Sequence, residues 1–484
     1  MVKLGYDRED FSMDWALAEM QTAELGDERL NKRLVSLLTT LGNQPEQSIP
    51  VACGSWADTK AAYRFFDNEQ VSAEKILSAH RGASLERIKQ HKTVLLIQDT
   101  TTLNFTGQQK RADIGPLNHE KHKGILLHPT IAVTPERLCL GVIDTYHWAR
   151  EELHHWKSRE EKNRENHKIP LKDKESYKWL MSYQKAQEIA SLAPDTQIVT
   201  IADREGDLYD LYHEAYTSQQ IYSAYWLVRA MANRRLLDAD NNLQTLKLVE
   251  TVKNTQPIGV IEFELPSRNS NKNHQIKQYI YTSKVRLCPP DRKRKTTRYK
   301  IFETQVVIAT EINPPAGQLP VEWILLTNVP VETAESASEL VKWYLCRWQI
   351  EIYFRILKSG CKVEKLQLET KSRFDACLTL SMIIAWRILH ITLLARQNPE
   401  VSCRVAFGEE EWQVAYMMAY RRKPPLQPIS LSTMVNLVAQ FGGYLNRNHD
   451  GEPGPTSLWI GLQKLQDFIR AKKNFDIINV ETYG

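Results

Sequence analysis

The sequence is short of the features that would assign it quickly. Its seven cysteines (Cys53, Cys139, Cys288, Cys346, Cys361, Cys377 and Cys403) are scattered, odd in number and without a CxxC pair. That pattern excludes a disulfide framework and a structural zinc site, and it suits a reducing compartment. The histidines form no HExxH, and His154 and His155 have no partner at ligand spacing. There is no GxGxxG, GxxxxGK[ST] or GxSxG, so the common nucleotide-binding and hydrolase signatures are absent. No internal repeat and no low-complexity tract is present. The first residues, MVKLGYDREDFSMDW, are acidic and lack the apolar stretch of a signal peptide. The most apolar run, Phe374 to Leu394, carries Asp375, Arg387 and His390, so it is expected to be a buried helix and not a membrane span. The expectation is a soluble cytoplasmic protein with no membrane partner. Net charge is +5, from 63 basic and 58 acidic residues, too small an excess to identify a partner.

What is present is ordered along 484 residues, enough for several domains. In residues 1–75, Asp27 can cap a helix whose Leu30, Leu34, Leu37 and Leu41 form an apolar stripe, with Arg29, Lys32 and Arg33 beside it. WADTKAAYRFFDN predicts a second helix carrying Lys60 and Arg64. Two short helices with basic flanks suit a helix-turn-helix-like DNA binder, and equally a plain helical bundle. From residue 92 strands follow: TVLLIQD, then ILLHPTIAVT and LCLGVIDTYHW as a hairpin, a long charged stretch, and QIVTIAD. Acids at strand ends with helices between them predict an α/β layered domain, where ligands gather at strand termini. Residues 221–330 are β-rich and are expected to be largely an insertion. SASELVKWYLCRWQIEIYFRILKS predicts one helix over 335–360, and the tail beyond 371 is largely helical.

Three acids stand out. Asp99 and Asp203 each end an apolar strand, where the sheet fixes the backbone and leaves the carboxylate at the rim. In the helix 335–360, Tyr344, Arg347, Glu351 and Lys358 fall at i, i+3, i+7 and i+14, one face of a straight helix, with Arg355 close by. An acid among cations suits a phosphodiester, the carboxylate holding a metal and the cations holding phosphate oxygens. An exposed, salt-bridged helix would show the same spacing. The run RLCPPDRKRKTTRYK adds seven basic residues against one acid, either a phosphate-tracking loop or a solvated one.

The run Y-x₂-R-x₃-E-x₆-K (Tyr344, Arg347, Glu351, Lys358) resembles the signature of the IS-four insertion-sequence family of DDE transposases. IQDTTTLNF around Asp99, ADREGD around Asp203 and EINPPAGQLPVEWILLTNVPVE at 311–332 are similar to that family's segments in the same order. ELGDERLNKRL, AAYRFFDN and FGGYLNRN extend the resemblance over nearly the whole chain. It implies an α/β fold with an RNase H-like catalytic core over 76–370 that holds the β-rich insertion. Helical domains flank it, an N-terminal one (1–75) for transposon-end DNA and a C-terminal one (371–484) for dimerisation. It implies catalysis by Asp99, Asp203 and Glu351 with two Mg²⁺ ions, Mn²⁺ as substitute. Tyr344, Arg347, Arg355 and Lys358 would contact DNA near the scissile phosphate, with Arg229, Arg33 and Arg64 as further backbone contacts. Trp323 would correspond to an aromatic that stacks on a flipped base during hairpin formation, unless it is simply a buried strand residue. The implied partners are double-stranded DNA, both terminal inverted repeats and target, and a second copy of the chain in the synaptic complex. The implied setting is the bacterial cytoplasm, on the nucleoid when bound. Against this stands a catalytically silent DNA-binding inhibitor of the same fold, and a plain RNase H-like nuclease, which leaves the residues around Glu351 unexplained.

Overall fold

The computed structural model describes residues 14–108, 113–119, 121–151, 169–218, 221–265, 274–290 and 299–481. Most of the basic run RLCPPDRKRKTTRYK and most of the charged stretch after Trp148 lie outside them. The chain forms two compact units, one of Met1–Gln90, Thr100–Arg159 and Gln349–Gly484, the other of His91–Asp99 and Glu160–Trp348.

The first unit opens with helices α1 (Trp15–Glu19), α2 (Glu28–Asn43), α3 (Ile49–Cys53), α4 (Trp56–Phe66) and α5 (Ala73–Ile88). Asp27 caps α2 as its sequence predicts, its Oδ1 accepting from the Arg29 amide at 2.8 Å, a contact of about 1 kcal/mol. Leu34, Leu37, Leu38 and Leu41 point into the core, leaving the charged side outward. Strands β2 (Thr101–Asn104), β3 (Gly115–Pro116), β4 (Lys123–Val133) and β5 (Cys139–Trp148) follow, and β4 pairs antiparallel with each of the others. The expected β4–β5 hairpin is present.

The C-terminal part of this unit is helical. Its axis is the 27-residue helix Lys371–Gln397, the run expected to be a buried helix, with 94% of its most apolar window inside the protein. Among the described residues it is the one helix long and apolar enough to cross a membrane. Further on, the helices Leu431–Phe441 and Pro455–Glu481 meet backbone to backbone. A Cβ at Gly461 would stand 1.8 Å from the Val438 carbonyl oxygen, so only glycine permits this approach.

A buried polar network joins the N-terminal helices to this axis. Arg87 donates to Glu19 Oε1 at 2.6 Å and to the Leu140 carbonyl at 2.6 Å, with its guanidinium 4.4 Å above the Trp386 ring. His80 Nδ1 meets Glu19 Oε2 at 2.7 Å, and His390 Nδ1 meets the Cys139 carbonyl at 2.7 Å. Burial pushes the Glu19 carboxyl up, but Arg87 and His80 outweigh it and hold it at about 2. Desolvation, with Arg87 nearby, depresses His390 to about 4.

The second unit is a sheet. Strands β1 (Thr93–Gln98), β6 (Gln197–Ala202) and β7 (Tyr225–Arg229) run parallel. β13 (Glu322–Thr327), β12 (Glu303–Glu311) and β11 (His274–Leu287) extend them antiparallel, with β10 (Gly259–Leu265) on β11. β8 (Arg235–Leu237) and β9 (Leu243–Lys247) close that side. Two findings refine the expectation of an insertion over 221–330. β7 belongs to the parallel core, and the remaining strands lengthen the same sheet. Helix α6 (Tyr177–Leu192) lies between β1 and β6 in sequence and supports them with Trp179, Tyr183 and Ala186, all buried, and the short helices α7 (Tyr209–Thr217) and α8 (Leu248–Lys253) follow later in the chain.

Acid is expected to loosen the first unit in two stages. Between about 6.5 and about 4 the unfolded chain accepts a proton that folded His390 refuses, so stability falls as pH falls, by up to about 1 kcal/mol per unit. Glu19 stabilises fully above about 4.5, and that contribution is lost as pH falls towards about 2. Urea midpoints at pH 7 and 4.5 check this. His390→Gln should shrink the difference between them, and an undiminished difference would rule out His390 as its source.

Candidate active site and nucleic-acid interface

The strand pair β1–β6 places two of the predicted acids together. Its register is Thr93↔Gln197 through Ile97↔Ile201. Two residues beyond the last pair stand Asp99 and Asp203, level with each other at the carboxyl ends of neighbouring parallel strands, which lie ~4.8 Å apart. Val94–Ile97 and Ile198, Val199, Ile201 and Ala202 are buried, so the strands cannot slip without exposing apolar surface. Asp203 caps the short 3₁₀ turn Arg204–Gly206, Oδ1 accepting from the Glu205 amide at 2.8 Å. Asp99 Oδ2 accepts from Arg347 Nη1 at 2.7 Å, with both side chains largely enclosed.

Around this pair the second unit gathers four more predicted residues. Burial raises the Tyr344 phenol, while Arg347 and Arg229 oppose the rise, and its hydroxyl accepts from Arg229. Asp203 also acts on Tyr344 electrostatically. Arg229 donates to the Glu322 carbonyl at 3.1 Å. Trp323 is only 6% exposed, stacked on Phe263 with ring centroids 5.3 Å apart and tilted against Tyr344 at 5.9 Å. Its ring is therefore covered here, as a buried strand aromatic would be, and offers no open face to a base.

The single helix expected over 335–360 is broken. Helix α9 (Ala334–Leu345) ends in a tight turn at Cys346–Arg347, and α10 (Trp348–Arg355) is followed by a π-turn over Ile356–Gly360. The cause is local: the Cys346 amide bonds to the Trp343 carbonyl at 3.0 Å and the Arg347 amide to that of Tyr344 at 3.1 Å. These i−3 bonds, beside the i−4 bond that the Cys346 amide makes to the Lys342 carbonyl at 3.3 Å, tighten the chain just before α10. The one-face argument for Tyr344, Arg347, Glu351 and Lys358 therefore does not hold as a straight helix. Glu351 sits in the first turn of α10, Arg355 ends it, and Lys358 lies in the π-turn, half-buried, where desolvation lowers its ammonium and Glu364 opposes this. These three residues belong to the first unit.

The Asp99–Asp203 pair has the chemistry for a hard divalent cation: carboxylate oxygens, level, at a strand-end rim. Arg347 neutralises Asp99 in the structure. Among the described residues no group of three His, Cys, Asp or Glu side chains is gathered as a metal site.

Sequence reasoning passed over Asp207, the last residue of ADREGD. Its side chain is fully buried and accepts from Arg234 Nη2 at 2.5 Å, the Tyr212 hydroxyl at 2.7 Å and the Met231 amide at 2.8 Å. It fastens the turn after Asp203 to the chain leaving β7. The signal was its place four residues after a candidate acid.

The first unit holds a second feature. Helices α2 and α4 border a cleft of about 880 Å³ whose lining includes Arg29, Arg33, Lys60 and Arg64 against two acids, Asp27 and Glu69. Arg33 and Arg64, predicted DNA contacts, thus share one surface with two more cations.

Three family models match in order along the chain. One described as a transposase DNA-binding domain matches residues 12–71, which enclose the cationic cleft. A transposase DDE domain matches 184–387, which include Asp203 and Glu351 but begin beyond Asp99. A transposase Tn5 dimerisation domain matches 383–477. Together with the mixed α/β architecture, the DDE match makes the core RNase H-like. Among solved structures, the cryo-EM structure of the piggyBac transposase synaptic complex with hairpin DNA is similar at a TM-score of 0.35 and 10% identity. It covers 80% of this chain and 74% of that one, a likeness too slight to carry an argument.

Asp207→Asn should weaken the cradle without touching the carboxylate pair. Leaving Arg234 without its buried partner is expected to cost about 3 kcal/mol, read as a lower thermal midpoint. Asp207→Glu should recover part of it. An unchanged midpoint in Asp207→Asn would mean the pair supports nothing.

Proposed function

This chain belongs to the Tn5-like DDE transposases of the IS-four family, and we propose that it moves an insertion sequence by cutting at its inverted repeats and joining the ends to target DNA. The observation that carries this reading is the register of β1 and β6, which sets Asp99 and Asp203 level at one rim. Asp99, Asp203 and Glu351 would hold two Mg²⁺ ions, or Mn²⁺ in their place, which activate the attacking oxygen and stabilise charge on the leaving one.

The chain's own residues hold the DNA. Arg29, Arg33, Lys60 and Arg64 grip end phosphates in the cleft, and the dimerisation region pairs two copies so that two ends are held at once. At the rim Arg347, Tyr344 and Arg229 are placed to hold phosphate oxygens, with Arg355 and Lys358 contributing from α10 and the π-turn. Arg347 meets Asp99 through Nη1, and its remaining N–H donors could reach a phosphate oxygen.

The first step is hydrolysis. A water oxygen bonds to phosphorus, the bond from phosphorus to the 3′ oxygen of the element breaks, and that oxygen takes the proton. The freed 3′-OH then attacks the opposite strand, one ester bond forming as another breaks, which closes a hairpin. Water reopens it, and the 3′-OH finally attacks target DNA. A base extruded at the hairpin would stack on Trp323 only after Phe263 leaves that face. The reaction takes place on the nucleoid, in the cytoplasm.

Purified protein with Mg²⁺ and a duplex carrying the repeats that flank its gene should release the element with hairpin ends. Asp99→Asn, Asp203→Asn and Glu351→Gln should reduce cleavage to background while end binding survives. Strand transfer retained in any of them would sink the assignment, and cleavage absent from the wild type would favour the silent inhibitor. Arg347→Ala should lower cleavage about tenfold or more, as the loss of one charge-assisted bond to phosphate predicts.

A further inference from the structure

The aromatic side chains in this protein are mostly enclosed: Trp179, Trp226 and Trp412 are each 1% exposed. Trp56 is 79% exposed. It is the first residue of α4, and that helix start is fixed firmly. Gly54, at φ 70°, turns the chain out of α3, and Ser55 Oγ caps α4 by accepting from the Asp58 amide at 3.0 Å. Trp56, Lys60 and Arg64 form an i, i+4, i+8 row. The last two line the cationic cleft, and Ala57, next to Trp56, lines it too. A large flat apolar group therefore stands beside a surface lined by four cations and two acids, Asp27 and Glu69.

Cations and an exposed indole serve different parts of a duplex. Arginine and lysine bind phosphates, which are the same in every sequence, or pair with guanine edges, whereas apolar and aromatic groups meet thymine methyls. A helix enters the major groove with its first residues nearest the bases. We propose that α4 lies in the major groove of the end DNA and that Trp56 reads base edges there, while Arg29, Arg33, Lys60 and Arg64 hold the flanking phosphates. This rests on the reading that the N-terminal helices bind the inverted repeats. Trp56 then supplies discrimination, and the cations supply affinity that is indifferent to sequence.

The two contributions separate by titrating the full-length protein, over a range of salt, with two duplexes: the flanking inverted repeat and a scrambled duplex of the same length. Trp56→Ala should lose about tenfold in affinity for the repeat and almost nothing for the scrambled duplex, with the salt slope unchanged. Trp56→Phe should recover part of the loss. Lys60→Ala should weaken both duplexes alike and reduce the salt slope by about one. Trp56→Ala keeping the wild-type preference for the repeat, or losing equally on both duplexes, overturns the proposal. A wild type without any preference for the repeat instead overturns the end-binding reading on which it rests.

Discussion

The parallel pairing of β1 with β6 is the constraint on which the candidate active site depends. Both strands are apolar on both faces, as parallel strands covered by helices must be, and each residue of Val94–Ile97 has a fixed partner in Ile198–Ile201. Two chain segments separated by more than a hundred residues thus end level with each other, each in an aspartate. A slip by one residue would reverse the facing of every side chain and stagger the carboxylates. The precision of the site comes from burying hydrocarbon, each enclosed Leu, Ile or Val contributing about 1.5–3 kcal/mol.

Setting two carboxylates side by side creates an electrostatic demand. Like charges at strand spacing repel, and a rim that is partly shielded from water sharpens the repulsion. The structure answers with Arg347, which stands in the tight turn between α9 and α10 and donates to Asp99. Behind the rim, Asp207 and Arg234 fasten the turn after Asp203. Asp99 is held by an ion pair and the turn after Asp203 by another, both beside a hydrophobic sheet.

Most of this scaffold was legible from residues alone, because it follows from short periodicities. Apolar runs ending on Asp99 and Asp203, the Asp27 cap with its leucine stripe, and the buried run Phe374–Leu394 all announce themselves locally. What was not legible depended on distant partners. The spacing of Tyr344, Arg347, Glu351 and Lys358 fits a straight helix equally well, and nothing within the segment reveals that Asp99, nearly 250 residues earlier, holds Arg347. Trp323 was open to two readings because a strand position does not tell whether a ring such as Phe263 will cover it. Asp207 went unnoticed because a buried acid cannot be told from a surface one until its arginine is found.

Net charge was the least informative quantity, and the structure shows why. An excess of +5 over 484 residues averages away the placement that matters. Many cations are spent on internal acids, among them Arg87 on Glu19, Arg234 on Asp207 and Arg347 on Asp99. Four others, Arg29, Arg33, Lys60 and Arg64, stand together at the α2–α4 cleft against Asp27 and Glu69. A duplex approaching that cleft meets net positive charge whatever its sequence. Charge that holds phosphates alone does not select among DNAs. Selection needs groups that meet base edges, and beside this cleft the proposed reader is the indole of Trp56.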